Sequence, residues 1–287
     1  MAFLLLLLVA ICAGLCAALV ARLYERRAGA TVLGAAREAG SRAGDSAAAR
    51  EARRHPEEAT ALGLVAGLAA VLIGGLTVAA LAVLVRETDV LAGLDTSAAN
   101  WGDGHVEGWT RDAITAVTDL GDTWTVVILA VVVAAVEIAR TRNRWVVPFL
   151  VAVMLGNKLL TELLKHLIDR ARPALEPVAA TLGPSFPSGH SSTAAASYAA
   201  FALVAGRWLG PRAWPALAGA AVGIAVAVAG SRVLLDVHWA TDVLAGLALG
   251  WAWFAVCAVA FGGHALRFGA PARVAGRGAA QAGAPPG

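Results

Sequence analysis

The chain has 287 residues, of which 59% are hydrophobic and only 15% charged, and its mean hydropathy is +0.70. Such a composition excludes an ordinary water-soluble domain and describes a chain that crosses a membrane several times. The formal charge of +3 is dispersed over connecting segments, which argues against a nucleic-acid partner, and Cys12, Cys16 and Cys257 all fall in apolar runs, so they offer neither a disulfide framework nor a metal cluster.

A helix needs about 20 apolar residues to cross about 30 Å of hydrocarbon. Runs of that kind near 3–21, 62–85, 124–139, 145–164, 192–206, 216–231 and 240–262 predict seven transmembrane helices and an all-α, polytopic bundle. The first run has the length of a signal peptide but lacks a basic segment before it, and its arginines follow it, so it is expected to be an uncleaved anchor with its N-terminus outside. Residues 22–60 carry eight basic and six acidic side chains and are expected to form a charged linker, with an amphipathic helix as the alternative. The organisation expected is therefore an anchor and linker over 1–60, a membrane domain over 61–263, and a Gly/Ala/Pro-rich disordered cytoplasmic tail over 264–287.

Residues 86–123 form an acidic connection with Trp101, Trp109 and Trp124 in or beside it, which predicts short interfacial helices that act as a lateral gate or a passive cap. The fourth run turns polar at Asn157, Lys158, Thr161 and Glu162, as a helix does when one face lies inside a bundle; Lys158 and Glu162 are expected to pair. Four prolines between 166 and 191 forbid a long helix there. Ser191, Ser192 and Thr193 are the expected N-cap candidates of the fifth span, which puts Gly189 and His190 at a helix N-terminus, where free N–H groups favour an anion. Gly219/Gly223 and Gly246/Gly250 are expected to let helices approach closely.

Lys and Arg mark the cytoplasmic side. Residues 22–60, 139–145, 207–215 and the C-terminal tail together hold sixteen of the 23 basic residues and fall on one side if seven spans alternate. The remaining seven include Lys165, Arg172 and Arg232, so these three are expected to face away from the cytoplasm.

Those three belong to the polar strings that interrupt the apolar pattern: Lys165 with Arg172-Pro173, Pro187-Ser188-Gly189-His190, and Ser231-Arg232 with His238 and Asp242. A charge near the bilayer costs roughly 2.5 kcal/mol or more unless it is paired or lines a wet cavity. Any one cation alone reads as a side chain snorkelling at a helix end; the set reads as a site for a dense anion. Lys165, Arg172 and Arg232 supply positive charge, and Ser188 and the Gly189 N–H supply donors. His238 and Asp242, four apart, are expected to share a helix face, with the carboxylate fixing the imidazole tautomer and freeing the other nitrogen for attack on phosphorus.

The spacings K-x6-R-P, P-S-G-H and S-R-x5-H-x3-D, in this order, resemble the three signatures of the type 2 phosphatidic acid phosphatase superfamily, whose soluble relatives include vanadium haloperoxidases. The resemblance runs from about Leu62 to Phe261. It implies a six-helix phosphatase core, with the first helix as an addition. It also implies that His238 is the nucleophile that forms a phosphohistidine, Asp242 its orienting partner, and His190 the acid toward the leaving oxygen and the base for the hydrolytic water. No metal or other cofactor is implied, since Lys165, Arg172 and Arg232 take the place of a cation.

The expected activity is hydrolysis of a lipid phosphate or diphosphate at the outer face of the plasma membrane. Undecaprenyl diphosphate is the first expectation, with phosphatidic acid or phosphatidylglycerol phosphate next. The expected partners are that substrate and membrane lipids; the sequence leaves the oligomeric state open. Alternatives are a lipid phosphotransferase, haloperoxidase chemistry, or an inactive scaffold or transporter on the same fold. His55, His105, His166 and His264 are read as surface residues, and Asp169 and Asp236 are left unassigned.

Overall fold

A computed structural model describes residues 2–38, 56–173 and 183–261. These residues form nine helices and no strand: α1 (Ala2–Glu38), α2 (Pro56–Glu87), α3 (Ala92–Asp103), α4 (Trp109–Thr118), α5 (Thr123–Thr141), α6 (Val146–Ile168), α7 (Gly189–Leu209), α8 (Trp214–Leu234) and α9 (Ala240–Phe261). Six helices are long and apolar enough to cross a membrane: α1 and α2 over Ala2–Leu19 and Gly67–Glu87, and α5, α6, α8 and α9.

The remaining expected span corresponds to α7, whose first turns carry His190, Ser191, Ser192 and Thr193. This helix is enclosed by protein, with Ser191, Ser192, Ala194–Tyr198 and Val204 buried. Small side chains that let neighbours approach matter more there than apolarity toward lipid. The main core lies around it, with Val126, Phe149, Val153, Val204 and Val228 fully enclosed.

Close backbone approach sets the positions of the outer helices. An added Cβ on Gly246 of α9 would stand 2.5 Å from the carbonyl oxygen of Ser188, and one on Gly250 would collide with that of Ser192. These glycines bring the start of α9 directly against the start of α7, where two of the three polar strings lie. A similar crossing at Gly14 and Gly219 docks α1 on α8.

Two expected boundaries shift. Helix α1 runs on through Arg22, Arg26, Arg27 and Arg37 to Glu38, so up to that residue the helical alternative replaces the linker reading; the Ala-rich sequence is a good helix former that needs no lipid to continue. Helix α2 opens at Pro56, a residue suited to a first turn. The rest of the expected linker, residues 39–55, and the expected disordered tail lie outside the described residues. The acidic connection does contain two short helices, α3 and α4, and Trp109 and Trp124 are exposed on it.

At the end of the bundle where α5 and α7 finish, Glu137 is fully buried. It accepts hydrogen bonds from Thr141 Oγ1 at 2.9 Å and from the Trp208 indole, and lies 3.4 Å from Arg207 Nη1.

Candidate active site

Every residue of the three strings lies at the opposite end, where α6 and α8 finish and α7 and α9 begin. Helix α6 stops after Lys165 because Asp169 turns left-handed, φ 47°, and donates its N–H back to the Lys165 carbonyl at 2.9 Å. The chain beyond is pinned to the returning segment: Ser185 donates through its N–H to the Arg170 carbonyl at 2.8 Å and through its hydroxyl to that of Ala171 at 3.1 Å. Between these points Arg172 reaches inward. It donates to the carbonyls of Gly183 (2.9 Å), Pro184 (3.2 Å) and Val237 (2.7 Å), and its Nη1 lies 3.1 Å from His238 Nε2.

Ser188 is the N-cap residue of α7, with extended backbone at φ −67°, ψ 119°. The expected caps Ser191, Ser192 and Thr193 fall inside the first turns instead. The choice is tertiary, because the Ser188 N–H donates to the Asp242 carbonyl at 3.0 Å and so fixes where the extended segment ends. Ser192 meets Asn157 at 2.7 Å and Thr161 at 2.9 Å, so the polar face of α6 does lie inside the bundle. Glu162, expected to pair with Lys158, lies instead 3.4 Å from Lys165 Nζ. That ammonium stands 3.9 Å from where a Cβ on Gly189 would be, so the glycine leaves it room beside the α7 N-terminus. His190, in the first turn, holds its Nε2 2.9 Å from Asp122 Oδ1 and lies in the fields of Arg232 and Lys165.

Arg232 closes α8, and the next residues fold back over it, with the N–H groups of Val237 and His238 donating to its carbonyl at 3.2 and 3.3 Å. A left-handed Asp236, φ 56°, makes that reversal. Arg232 Nε is buried and has no hydrogen-bond partner among the described residues. Helix α9 starts at Ala240, where the apolar run does, so His238 precedes the helix and, contrary to expectation, does not share its face with Asp242. They meet nevertheless: His238 Nδ1 is 3.4 Å from Asp242 Oδ2. The same oxygen accepts the Trp239 N–H at 3.0 Å, as an acidic residue in a first helical turn does when it reaches back to the cap. One imidazole nitrogen thus faces a carboxylate and the other faces the cations.

His238 is almost fully enclosed, and burial, reinforced by Arg172 and Arg232 against the opposing pull of Asp242, pushes its pKa down to about 4. It is therefore neutral near pH 7, as a nucleophilic nitrogen must be. Burial also lowers the Arg172 pKa, against Asp242, which raises it.

Four further residues border the site and escaped the sequence reading: Asp122 on His190, and Arg170, Asp95 and Thr241 around Asp242. Arg170 lies two residues before Arg172, which was a usable signal. Asp95 and Asp122 stand among eight acidic residues in the connection 86–123, and spacing distinguishes neither. Of the other histidines, His105 stacks on Trp101 at 4.4 Å and His166 is exposed; His55 and His264 lie outside the described residues. Among the described residues no three His, Cys, Asp or Glu side chains gather to hold a metal.

The chain is similar to known proteins. A model of the PAP2 superfamily matches residues 145–264. Phosphatidylglycerophosphatase B of Bacillus subtilis is 35% identical over 147 residues, covering 50% of this chain and 70% of that protein. The chain belongs to the PAP2 superfamily. Lipid A 1-phosphatases of Rhizobium johnstonii and Rhizobium etli are 35% and 34% identical over 122 residues; the match takes in 39% of this chain and a little under half of each of theirs. The crystal structure of a transmembrane PAP2 type phosphatidylglycerolphosphate phosphatase from Bacillus subtilis superposes with a TM-score of 0.61 at 29% identity, covering 70% of this chain and 98% of that one. The all-helical bundle is thus the transmembrane PAP2 fold, and the matched stretch 145–264 contains all three polar strings but none of α1–α4. Asp95 and Asp122 lie outside that stretch.

Proposed function

We propose that this chain is an integral membrane phosphatase that removes phosphate from a lipid phosphate or diphosphate through a phosphohistidine on His238. The observation that carries this reading is the two-sided environment of that side chain: Nδ1 toward Asp242, Nε2 toward Arg172, with the unpartnered Nε of Arg232 nearby.

In this mechanism Lys165, Arg172 and Arg232, with the Ser188 hydroxyl and the Gly189 N–H, hold the equatorial phosphate oxygens. His238 Nε2 attacks phosphorus, forming the P–N bond as the P–O bond to the lipid breaks, while Asp242 stabilises the positive charge that develops on the ring. Protonated His190, steadied by Asp122, gives its proton to the leaving oxygen. The same nitrogen then takes a proton from the water that attacks phosphorus, releasing inorganic phosphate and restoring His238. The side-chain cations do the electrostatic work of the transition state, which needs no metal ion.

The names of the relatives support a lipid phosphomonoester, so phosphatidylglycerol phosphate moves ahead of undecaprenyl diphosphate as the substrate. The distribution of arginines supports an outward-facing site. Purified protein should release phosphate from at least one member of a panel containing phosphatidylglycerol phosphate, phosphatidic acid, lipid A and undecaprenyl diphosphate, with EDTA present, and vanadate should inhibit it. Loss of activity on chelation, restored by Mg²⁺, would contradict the mechanism. A cysteine placed at Pro184 should react with an impermeant thiol reagent in intact cells and one at Gly210 should not; the reverse pattern would invert the orientation.

A further inference from the structure

Asp242 has two carboxylate oxygens, and His238 uses only Oδ2. Oδ1 accepts from Arg170 Nη1 at 2.6 Å. Arg170 is held between two acids, since its Nη2 donates to Asp95 Oδ2 at 2.7 Å, and Asp95 is 2% exposed. Asp95 comes from α3, far away in sequence, and also fixes the start of α9: its Oδ1 accepts the Thr241 N–H at 2.9 Å and its Oδ2 the Thr241 hydroxyl at 2.7 Å. The Thr241 oxygen in turn accepts from Arg170 Nη1 at 2.7 Å. The guanidinium lies 5.4 Å from the centre of the Trp239 ring, whose indole N–H donates to the Ala171 carbonyl at 2.9 Å. Both carboxylate oxygens of Asp95, both terminal nitrogens of Arg170, the Thr241 hydroxyl and the Trp239 indole N–H are thus bonded to another member, to the backbone or to Asp242.

We infer that Asp95 and Arg170 are positioning residues for the reaction: the Asp95–Arg170 bridge from α3 holds Asp242 with one oxygen turned to His238 and lets it keep its charge. This rests on the role proposed above for His238. Arg170 alone would compete with His238 for Asp242, since a guanidinium bonded to one oxygen draws charge from the whole carboxylate. Asp95 supplies the balancing charge, so the trio of Asp95, Arg170 and Asp242 keeps one net negative charge beside the imidazole. That charge opposes the cations Arg172 and Arg232, which also face His238. Burying three charges is costly unless their hydrogen bonds are complete. Here the bonds from Arg170 to Oδ1 and from Trp239 N–H to Oδ2 fix the rotamer of the one carboxylate the chemistry uses.

The test compares wild type with Asp95→Asn, which keeps the shape and a Thr241 contact while removing the charge, and with Arg170→Lys, which keeps the charge without the fork. Phosphate release and the rate of phosphoenzyme formation are read for each. Asp95→Asn should lower kcat about tenfold or more, the order expected when a group that orients a reacting residue is altered, with KM within about twofold. Arg170→Lys should retain more activity than Arg170→Gln. The double variant Asp95→Asn/Arg170→Gln, neutral as a pair, should stay slow although it folds; a pair that only docks α3 would recover wild-type kcat there. If Asp95→Asn fails to accumulate as folded protein, Arg170→Lys against the double variant decides the matter by the same two rates. Wild-type kcat in Asp95→Asn or in the double variant overturns this inference and leaves the phosphohistidine standing. A wild-type enzyme that forms no phosphoenzyme overturns the proposed function itself.

Discussion

Two polar clusters are buried at opposite ends of the same bundle, and they are built differently. At one end Glu137 is met by Thr141, Trp208 and Arg207, so an acid and a base compensate each other. At the other end Arg172 gives its hydrogen bonds to three carbonyls and an imidazole, and Arg232 keeps a buried Nε with no partner among the described residues. Both clusters carry the cost of charge in a membrane protein. In the first the cation faces a carboxylate, whereas in the second neither Arg172 nor Arg232 gives a hydrogen bond to any carboxylate among the described residues, and cations left without an acid beside an imidazole are what a site for an anion requires.

The contrast breaks most visibly at the proposed nucleophile. His238→Ala should lower turnover by about 10⁴-fold or more, the scale seen when a covalent nucleophile is removed, with the folded fraction preserved by size-exclusion and circular dichroism. Turnover within tenfold of wild type would show that the cluster around His238 is as structural as the one around Glu137.

Arg232→Gln removes surplus positive charge at the site and should cost about 10² to 10³ in kcat/KM, measured with the best substrate of the panel. Glu137→Gln tests the other side of the comparison. It leaves Arg207 without its acid, so it should destabilise the fold by about 3 kcal/mol in detergent melting, as breaking a buried pair does, while kcat per folded molecule stays at the wild-type value.

The smallest effect concerns proton linkage. His238 has a native pKa near 4, below its ordinary value of 6.5, so the unfolded chain takes up a proton between these values that the native protein refuses. Native stability is therefore unaffected above about pH 6.5 and falls as pH drops from there toward 4, by up to about 1.4 kcal/mol per pH unit. His238→Gln should lack this component, so the melting difference between variant and wild type should move in favour of the variant on going from about pH 7 to about pH 4.5. An unchanged difference would mean that His238 is not held neutral by its surroundings.

The parts legible in the sequence were those whose signal is local. Runs of apolar residues marked the seven long helices, and the three strings marked Lys165, Arg172, Ser188, Gly189, His190, Arg232, His238 and Asp242, which the structure gathers at one end. The polar face of α6 was legible at Asn157 and Thr161 because its period is that of a helix. What could not be read were pairings made across the chain. Asp95 meets Thr241 over a separation of 146 residues and Arg170 over 75, and nothing in the acidic connection distinguishes it from its neighbours. The start of α7 was misplaced for a related reason: Ser188, Ser191 and Ser192 are equivalent as caps, and the bond from Ser188 to Asp242 on another helix chooses among them. The α1 boundary was missed because lipid thickness limits an apolar run but not the helix that continues beyond it.

The central claim is that the cluster around His238 is a phosphate site whose reacting atom is on that residue. It is tested most directly by trapping label from a ³²P lipid phosphate on the purified protein. Wild type should yield a small amount of acid-labile, base-stable label, and His190→Ala should accumulate more of it with a substrate that has a good leaving group, because the base for hydrolysis is gone. His238→Ala should yield none. Acid-labile label on His238→Ala, or none on wild type and His190→Ala while phosphate is being released, would contradict the account.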